Sequence, residues 1–361
     1  MGTSQKRPLR SGFTTGACAA AAARGAITAL VSGSCPGKVE IPFPGGDRHL
    51  FTLHRCSTDK EEALASVIKN AGDDPDVTNG AEIGARCRRS MGDAVVLLAG
   101  PGVGRVTKPG LPVAVGEPAI NPVPRQMIQA AIREALADLG WEAGEGFELE
   151  IFVTNGEELA TRTLNRRLGI VGGLSILGTT GIVRPLSTRA WTETIESSMR
   201  VARANGLEDV LLSTGRTSEA AVQKLLALPE EAQVMMGDYL RYSLEAAHRH
   251  GFSRIHLAMM WGKMVKAALA VPQTHVRHGD LVPADVGSLL IRLGLDAAQA
   301  TRLAEANTAR QIFEKLREEG QNHIINRVIN RAREQAEQWA GSKVRIYLVT
   351  AQRQIFCGGG S

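Results

Sequence analysis

Apolar positions recur along this chain with two different periods. Over 124–139, Met127, Ile128, Ala131, Ile132, Ala135, Leu136 and Leu139 fall at helical spacing and Gly140 follows, which predicts an amphipathic helix closed by glycine. Residues 11–30 predict a glycine turn leading into an alanine-rich helix. Two short apolar runs, 39–43 and 50–53, flank the turn 44–47 and predict a hairpin. Residues 94–99 predict a buried strand, 71–80 a loop, and 100–124 a long segment too rich in Gly and Pro for a helix. After this the pattern changes. The runs 150–154, 210–214, 234–236 and 254–260 each lead into a glycine-containing polar turn, at 155–158, 215–219, 237–239 and 261–263, and then into a helical pattern. Repeated strand–turn–helix units imply a parallel sheet with helices on its faces, and such sheets bind ligands beyond the carboxyl ends of their strands. A charged helical region, 302–340, precedes a last strand, 343–350. The expected fold is two-domain, α+β followed by α/β: an N-terminal α+β domain over 1–145, a Rossmann-like domain with a mostly parallel sheet over 146–353, and a flexible tail over 354–361.

Composition narrows the classes. A chain of 361 residues suits two domains. Its 43% hydrophobic and 22% charged residues exclude a disordered polymer. Lys+Arg number 42 against 37 Asp+Glu, a net charge of +5 that suits a polyanionic partner, but no basic block is dense enough to call for nucleic acid. Aromatic residues, at 4%, are too few for a base-stacking single-strand binder. Five cysteines without a C-x-x-C pair fit reduced thiols in a cytoplasmic protein. Lys6, Arg7 and Arg10 ahead of the alanines 17–23 mimic an export signal, but Arg24 interrupts the run and Thr14-Thr15-Gly16 opens it as a helix, so it reads as folded structure with no membrane span.

Several segments have the makings of sites. In LGIVGGLSILGTTGIV (168–183), Gly169, Gly172, Gly173, Gly178 and Gly181 leave the backbone open to close approach, with Ser175, Thr179 and Thr180 supplying hydroxyls. The competing reading is tight packing in a buried loop. The segment matches neither G-x-G-x-x-G nor the P-loop. At 11–16, Thr14, Thr15 and Gly16 open a helix, either as a plain cap or as a seat for an anion. Asp73, Asp74 and Asp76 share a rigid turn without calcium-loop spacing. Arg105 and Lys108 stand in the stiff segment 100–124, suited to acidic groups. Among the histidines, His275 and His278 with Asp280 have metal-like spacing, though solvent-exposed turn residues are the favoured reading.

Taken together, four of these segments resemble the CbiD family, the cobalt-precorrin-5B C1-methyltransferases of anaerobic cobalamin biosynthesis. They are LRSGFTTGACAA (9–20), AGDDPDVTN (71–79), VTKPGLPVAVGEPAINPVP (106–124) and TLNRRLGIVGGLSILGTTGIVRPLS (163–187), in the family order. The later half is looser: Trp261 stands where the family carries a His before Gly-Lys, and Gln273 where it carries Asn before Thr-His. The resemblance implies methylation of C-1 of cobalt-precorrin-5B to cobalt-precorrin-6A with S-adenosyl-L-methionine as donor. Cobalt then travels inside the corrinoid substrate, and the protein needs no metal site of its own. The substrate would meet Thr14, Thr15, Gly16, Arg105, Lys108 and Arg184, with Arg166 and Arg167 nearby. The donor would meet Asn155, Gly156, Glu157, Gly169, Gly172, Gly173, Thr179, Thr180 and Gly181, with Glu157 on the ribose. Catalysis would be mostly positioning, and Thr15, Asp73 and Asp74 are the candidates for any chemical help. The implied partner is the small corrinoid, with neither nucleic acid nor membrane; a homo-oligomer and transient contacts with other pathway enzymes stay open. Two other readings remain: a metal-assisted hydrolase built on His275, His278, Asp280 and the 73–76 carboxylates, and a non-catalytic corrinoid chaperone.

Overall fold

The computed structural model describes residues 9–92, 94–141, 146–274, 281–306 and 308–358. The expected metal set His275, His278 and Asp280, and the last three residues of the expected tail, lie outside the described residues. The chain forms two compact units that divide after Ser187, not after residue 145. The reason is a strand pairing that joins distant segments. Gly146–Val153 alternates inward Phe147, Leu149, Ile151 and Val153 with outward residues, and it pairs antiparallel with Glu82–Ser90 and parallel with Val95–Ala99. The strand expected to open the second domain is therefore an inner strand of the first.

The sheet of the first unit has the order Arg55–Thr58, Glu62–Ile68, Glu82–Ser90, Gly146–Val153, Val95–Ala99. Val95–Ala99, read from its apolar run as buried, lies at the edge and is half-exposed. The hairpin forms as expected from Lys38–Pro42 and Arg48–Thr52. Thr15–Ser32 and Pro122–Asp138 pack on each other, and the first also packs on the sheet. Thr15–Ser32 has the length and apolar character of a membrane span, yet its alanines 17–23 are wholly inside the unit. Small side chains let it lie close: a Cβ on Gly25 would sit 2.8 Å from Leu53 and 2.9 Å from Ala65.

The second unit is built as the repeated units implied. Gln233–Met235, Asp209–Ser213, Arg254–Met259 and Val344–Val349 lie parallel in that order, and Ile355–Gly358 adds an antiparallel edge. Residues 355–358, expected as tail, are thus a strand, because Ile355 and Phe356 have apolar surface to bury: Phe356 packs on the main core beside Phe313. Both faces of the sheet are covered. Val210, Leu212, Ile255, Leu257 and Ile346 face one apolar cluster, while Leu211, Ala258 and Tyr347 face another. That is why the strands read as unbroken apolar runs rather than alternating ones. Asp209–Ser213 is the first of the parallel strands in sequence. The next goes to one side of it and the third to the other. The turns after Ser213 and Met259 therefore lie side by side where the winding reverses, which is where open sheets of this kind hold ligands.

A buried ion pair fixes the loop 70–79 in the first unit. The Lys69 side chain is 1% exposed, and its Nζ lies 2.6 Å from Asp76 Oδ2, while Asp76 Oδ1 accepts from the Thr78 amide and hydroxyl. Burial pushes the Asp76 carboxyl up, but Lys69 and the Thr78 donors outweigh it and hold it below the usual carboxylate range. A depressed carboxyl stabilises the fold above its unfolded pKa, near 3.9, and this contribution is lost as pH falls through the lower folded value. Asp76→Asn strands the Lys69 charge and is expected to cost about 3 kcal/mol in urea unfolding of the first unit. The variant should also lose less stability than the parent as pH drops below about 4.

Candidate functional site

The four segments singled out in the first half of the sequence converge in the first unit. Gly12–Phe13 pairs antiparallel with Ile182–Val183, and the Phe13 amide donates to the Asn70 carbonyl. Asp73 Oδ2 accepts from the Arg10 amide, and Asp74 Oδ1 accepts from the Leu186 amide. The stiff segment is bound to the glycine loop by two short ladders, Gly102–Val103 with Gly173–Leu174 and Arg105–Val106 with Ile170–Val171. The expected carboxylate cluster is thereby dispersed: Asp73 serves Arg10, Asp74 serves Leu186, and Asp76 serves Lys69.

Thr14 and Thr15 are buried, and their hydrogen bonds stay inside the chain. The Thr14 hydroxyl accepts from the Ala17 amide at 3.1 Å and caps Thr15–Ser32. Thr15 Oγ1 accepts from the Leu177 amide at 2.8 Å and lies 3.2 and 3.3 Å from the Leu177 and Ser175 carbonyls. The Gly16 amide donates to the Leu177 carbonyl. The helix start that could have seated an anion is closed by the chain's own loop, so Thr14, Thr15 and Gly16 position that loop.

The glycines follow the packing reading at most positions. A Cβ on Gly173 or on Gly156 would sit 2.2 Å from the Gly102 carbonyl oxygen. Gly178, at φ +127°, would meet the Thr14 side chain at 2.5 Å, and Gly169 and Gly181 would press on Lys108 and Phe43. Gly172 alone of the expected donor glycines faces open space. What remains on the surface is Gly172, Thr179, Thr180, Arg105 and Arg184, with the apolar Val171 and Leu177. Arg105 and Val171 are register partners and share one exposed face. Lys108 is half-buried against Gly169. Asn155, left-handed at φ 55°, and Glu157 line a separate hollow of about 300 Å³ with Arg86 and Gly102. Asn155, Gly156 and Glu157, expected to follow a strand of the parallel sheet, instead follow an inner strand of the first unit's mixed sheet.

The second unit supplies that setting elsewhere. Three of the turns marked in the sequence as places for chemistry, 215–219, 237–239 and 261–263, meet at the carboxyl edge of its sheet. A crevice of about 410 Å³ lies between Thr214–Ser218 and the Met260–Lys263 turn. Lys263 Nζ is 3.0 Å from Asp238 Oδ1 and donates to the Thr214 carbonyl at 3.1 Å. Asp238 Oδ1 also accepts from the Thr274 hydroxyl, and the buried Lys266 donates to the Thr274 carbonyl at 2.8 Å. Below the first turn the buried Ser213 hydroxyl donates to Glu219 at 3.0 Å, which ties strand end to helix start. Arg216 is exposed at the mouth and has neither an ion pair nor a hydrogen bond among the described residues. A cationic crevice with an ordered carboxylate can hold a zwitterionic group. The sequence reading missed Asp238, Lys266 and Thr274 as a network. The signal available was a pair of lysines, Lys263 and Lys266, one turn apart in an otherwise apolar helix, Trp261–Ala268.

The CbiD family model matches residues 2–185, and a second model, the CbiD C-terminal domain, matches 273–359. A protein of Desulfotalea psychrophila named cobalt-precorrin-5B C(1)-methyltransferase is 52% identical, over 98% of this chain and 99% of its own length. A protein of Geobacter metallireducens with the same name is 45% identical over 93% of this chain and 94% of its own. The crystal structure of a cobalamin biosynthesis protein from Archaeoglobus fulgidus is 28% identical, with a TM-score of 0.40 over 71% of this chain and 78% of that one. Since one family model covers the four converging segments as far as residue 185 and relatives match at about half identity over nearly their whole length, the chain belongs to the CbiD family.

Proposed function

We propose that this protein methylates C-1 of cobalt-precorrin-5B to give cobalt-precorrin-6A, with S-adenosylmethionine as donor. The observation that carries this is the near-full-length identity to relatives bearing that activity in their names. The donor supplies a methyl group on a sulfonium; the nucleophilic ring carbon takes it in line, a C–C bond forms as the C–S bond breaks, and S-adenosylhomocysteine leaves. The protein's part is to bind and orient. The doubly wound, Rossmann-like second unit supports a donor site in its polar crevice. There Lys263 and Arg216 pair with the donor's carboxylate, and Asp238 accepts from its ammonium group. The first unit takes the corrinoid. Arg105 and Arg184 pair with the carboxylates of the macrocycle, and the exposed Val171 and Leu177 beside Gly172 lie against its apolar face. Thr15, Asp73 and Asp74, as internal ties, hold this surface in shape. Cobalt arrives within the substrate. Five cysteines free of disulfides, with burial pushing the Cys18, Cys56 and Cys87 thiols up to about 12, suit a cytoplasmic setting.

Purified protein given methyl-labelled S-adenosylmethionine and cobalt-precorrin-5B should place the label on the corrinoid. Binding of the corrinoid without transfer would leave a chaperone in its place. Lys263→Met should raise the Kd for S-adenosylhomocysteine about ten-fold, since a hydrogen bond to a charged group contributes about 1.5–3 kcal/mol. Unchanged affinity in calorimetry would remove the donor from this crevice. Arg105→Glu should raise the apparent KM for corrinoid and flatten its dependence on ionic strength, because screening weakens exposed charge pairs. Donor affinity should be unaffected, and a silent Arg105→Glu would take the corrinoid off this face.

A further inference from the structure

Next to the polar crevice the second unit has a larger cavity, of about 480 Å³. Its walls come from the turn after Arg254–Met259, from the helix Ala309–Glu318 and from the turn after Val344–Val349. Met260 and Gly262 line both the cavity and the crevice, so the two adjoin along this turn. Gly262 carries no side chain to separate them, and the nearest neighbour of a Cβ there would be Ala309 at 3.5 Å.

The cavity differs in chemistry from the crevice. Trp261 and Phe313 form its aromatic wall, with ring centroids 5.2 Å apart. Both rings show the cavity only a narrow apolar edge, Trp261 being 4% and Phe313 7% exposed. At the rim, Glu314 is held by Arg310 at 2.7 Å, while Glu318 has no partner among the described residues. A ligand that suits this lining needs a flat apolar body and hydroxyl donors for a carboxylate. A purine nucleoside has both. The volume is within the range of small-molecule sites, about 300–1,000 Å³.

We infer that this cavity takes the adenosine half of the methyl donor, with the amino-acid half passing over Gly262 into the crevice of Lys263 and Asp238. The inference rests on the reading of S-adenosylmethionine as donor. The base lies against the rings of Trp261 and Phe313, and Glu318 accepts from the ribose diol.

The test is calorimetric titration of the full chain with two probes, S-adenosylhomocysteine and 5′-methylthioadenosine, the second lacking the amino acid. Trp261→Leu removes the larger ring of the aromatic wall. It should weaken both probes about five-fold, the worth of one aromatic contact. Glu318→Gln, an exposed change that leaves the core untouched, should weaken both about three-fold. Lys263→Met should weaken S-adenosylhomocysteine and leave 5′-methylthioadenosine alone. Gly262→Val should weaken the longer probe more than the shorter. Wild-type affinity for both probes in Trp261→Leu and Glu318→Gln, with S-adenosylhomocysteine still bound, would overturn the cavity assignment and leave the donor reading intact. Failure of the unmodified protein to bind either probe would overturn both.

Discussion

The hydroxyl of Thr15 is the tie on which the first unit depends. It reaches across 162 residues of sequence to the Leu177 amide and so joins the first turn of the central helix to the glycine loop. The loop has few side chains with which to hold itself, and its positive-φ glycines have many backbone conformations to lose on folding. It is ordered instead by backbone contacts: Gly16 to Leu177, Thr14 to Gly181, and the ladders with 102–106. Remove that anchor and the helix start, the loop and the stiff segment each lose a neighbour. The exposed Arg105–Val171 face is a consequence of this closure, since its strand pair exists only while the two loops are bound to each other.

The second unit reaches order by another route. Its strands bury both faces, so the sheet itself is set by apolar contact. Polar groups gather where the sheet has no cover, at the carboxyl ends, and several are held there by a neighbour: Lys263 by Asp238 and Thr214, Lys266 by Thr274, Ser213 by Glu219. Two units of similar length thus carry two kinds of surface. One is a rigid backbone scaffold with a few exposed cations and apolar residues. The other is a crevice of charged side chains beside an aromatic cavity. An amphipathic polycarboxylate suits the first, and a zwitterionic nucleoside suits the second.

Much of this was legible before any coordinates. The alanine helix, the hairpin, the helix 122–138 and the four parallel strands of the second sheet follow from apolar spacing, because short-range packing decides those patterns. The four segments that build the first-unit surface were likewise visible as unusual strings. Their roles were less so. A glycine that admits a ligand and a glycine that admits another stretch of backbone look the same in sequence, and Gly173 against Gly102 is the second kind. In the same way, Thr14 and Thr15 read as cap or as ligand seat, and the choice lay with Leu177 and Gly181, far along the chain.

The sequence by itself determined many of the elements, the two-unit α and β organisation and the family, since these rest on local periodicity and on long strings of particular residues; strands 55–58, 62–68, 82–90 and 355–358 were not among them. Tertiary structure decided the boundary after Ser187, because strand 146–153 finds its partners at 82–90 and 95–99 and no local pattern encodes that choice. It also decided which turns form a crevice. The carboxyl ends of the strands at 209–213 and 254–259 become neighbours only when the sheet is assembled, and with them Lys263, Asp238 and the ring of Trp261. Strand order is a matter of long-range pairing between surfaces of similar apolarity, and a site made from several strand ends exists only after that order is set.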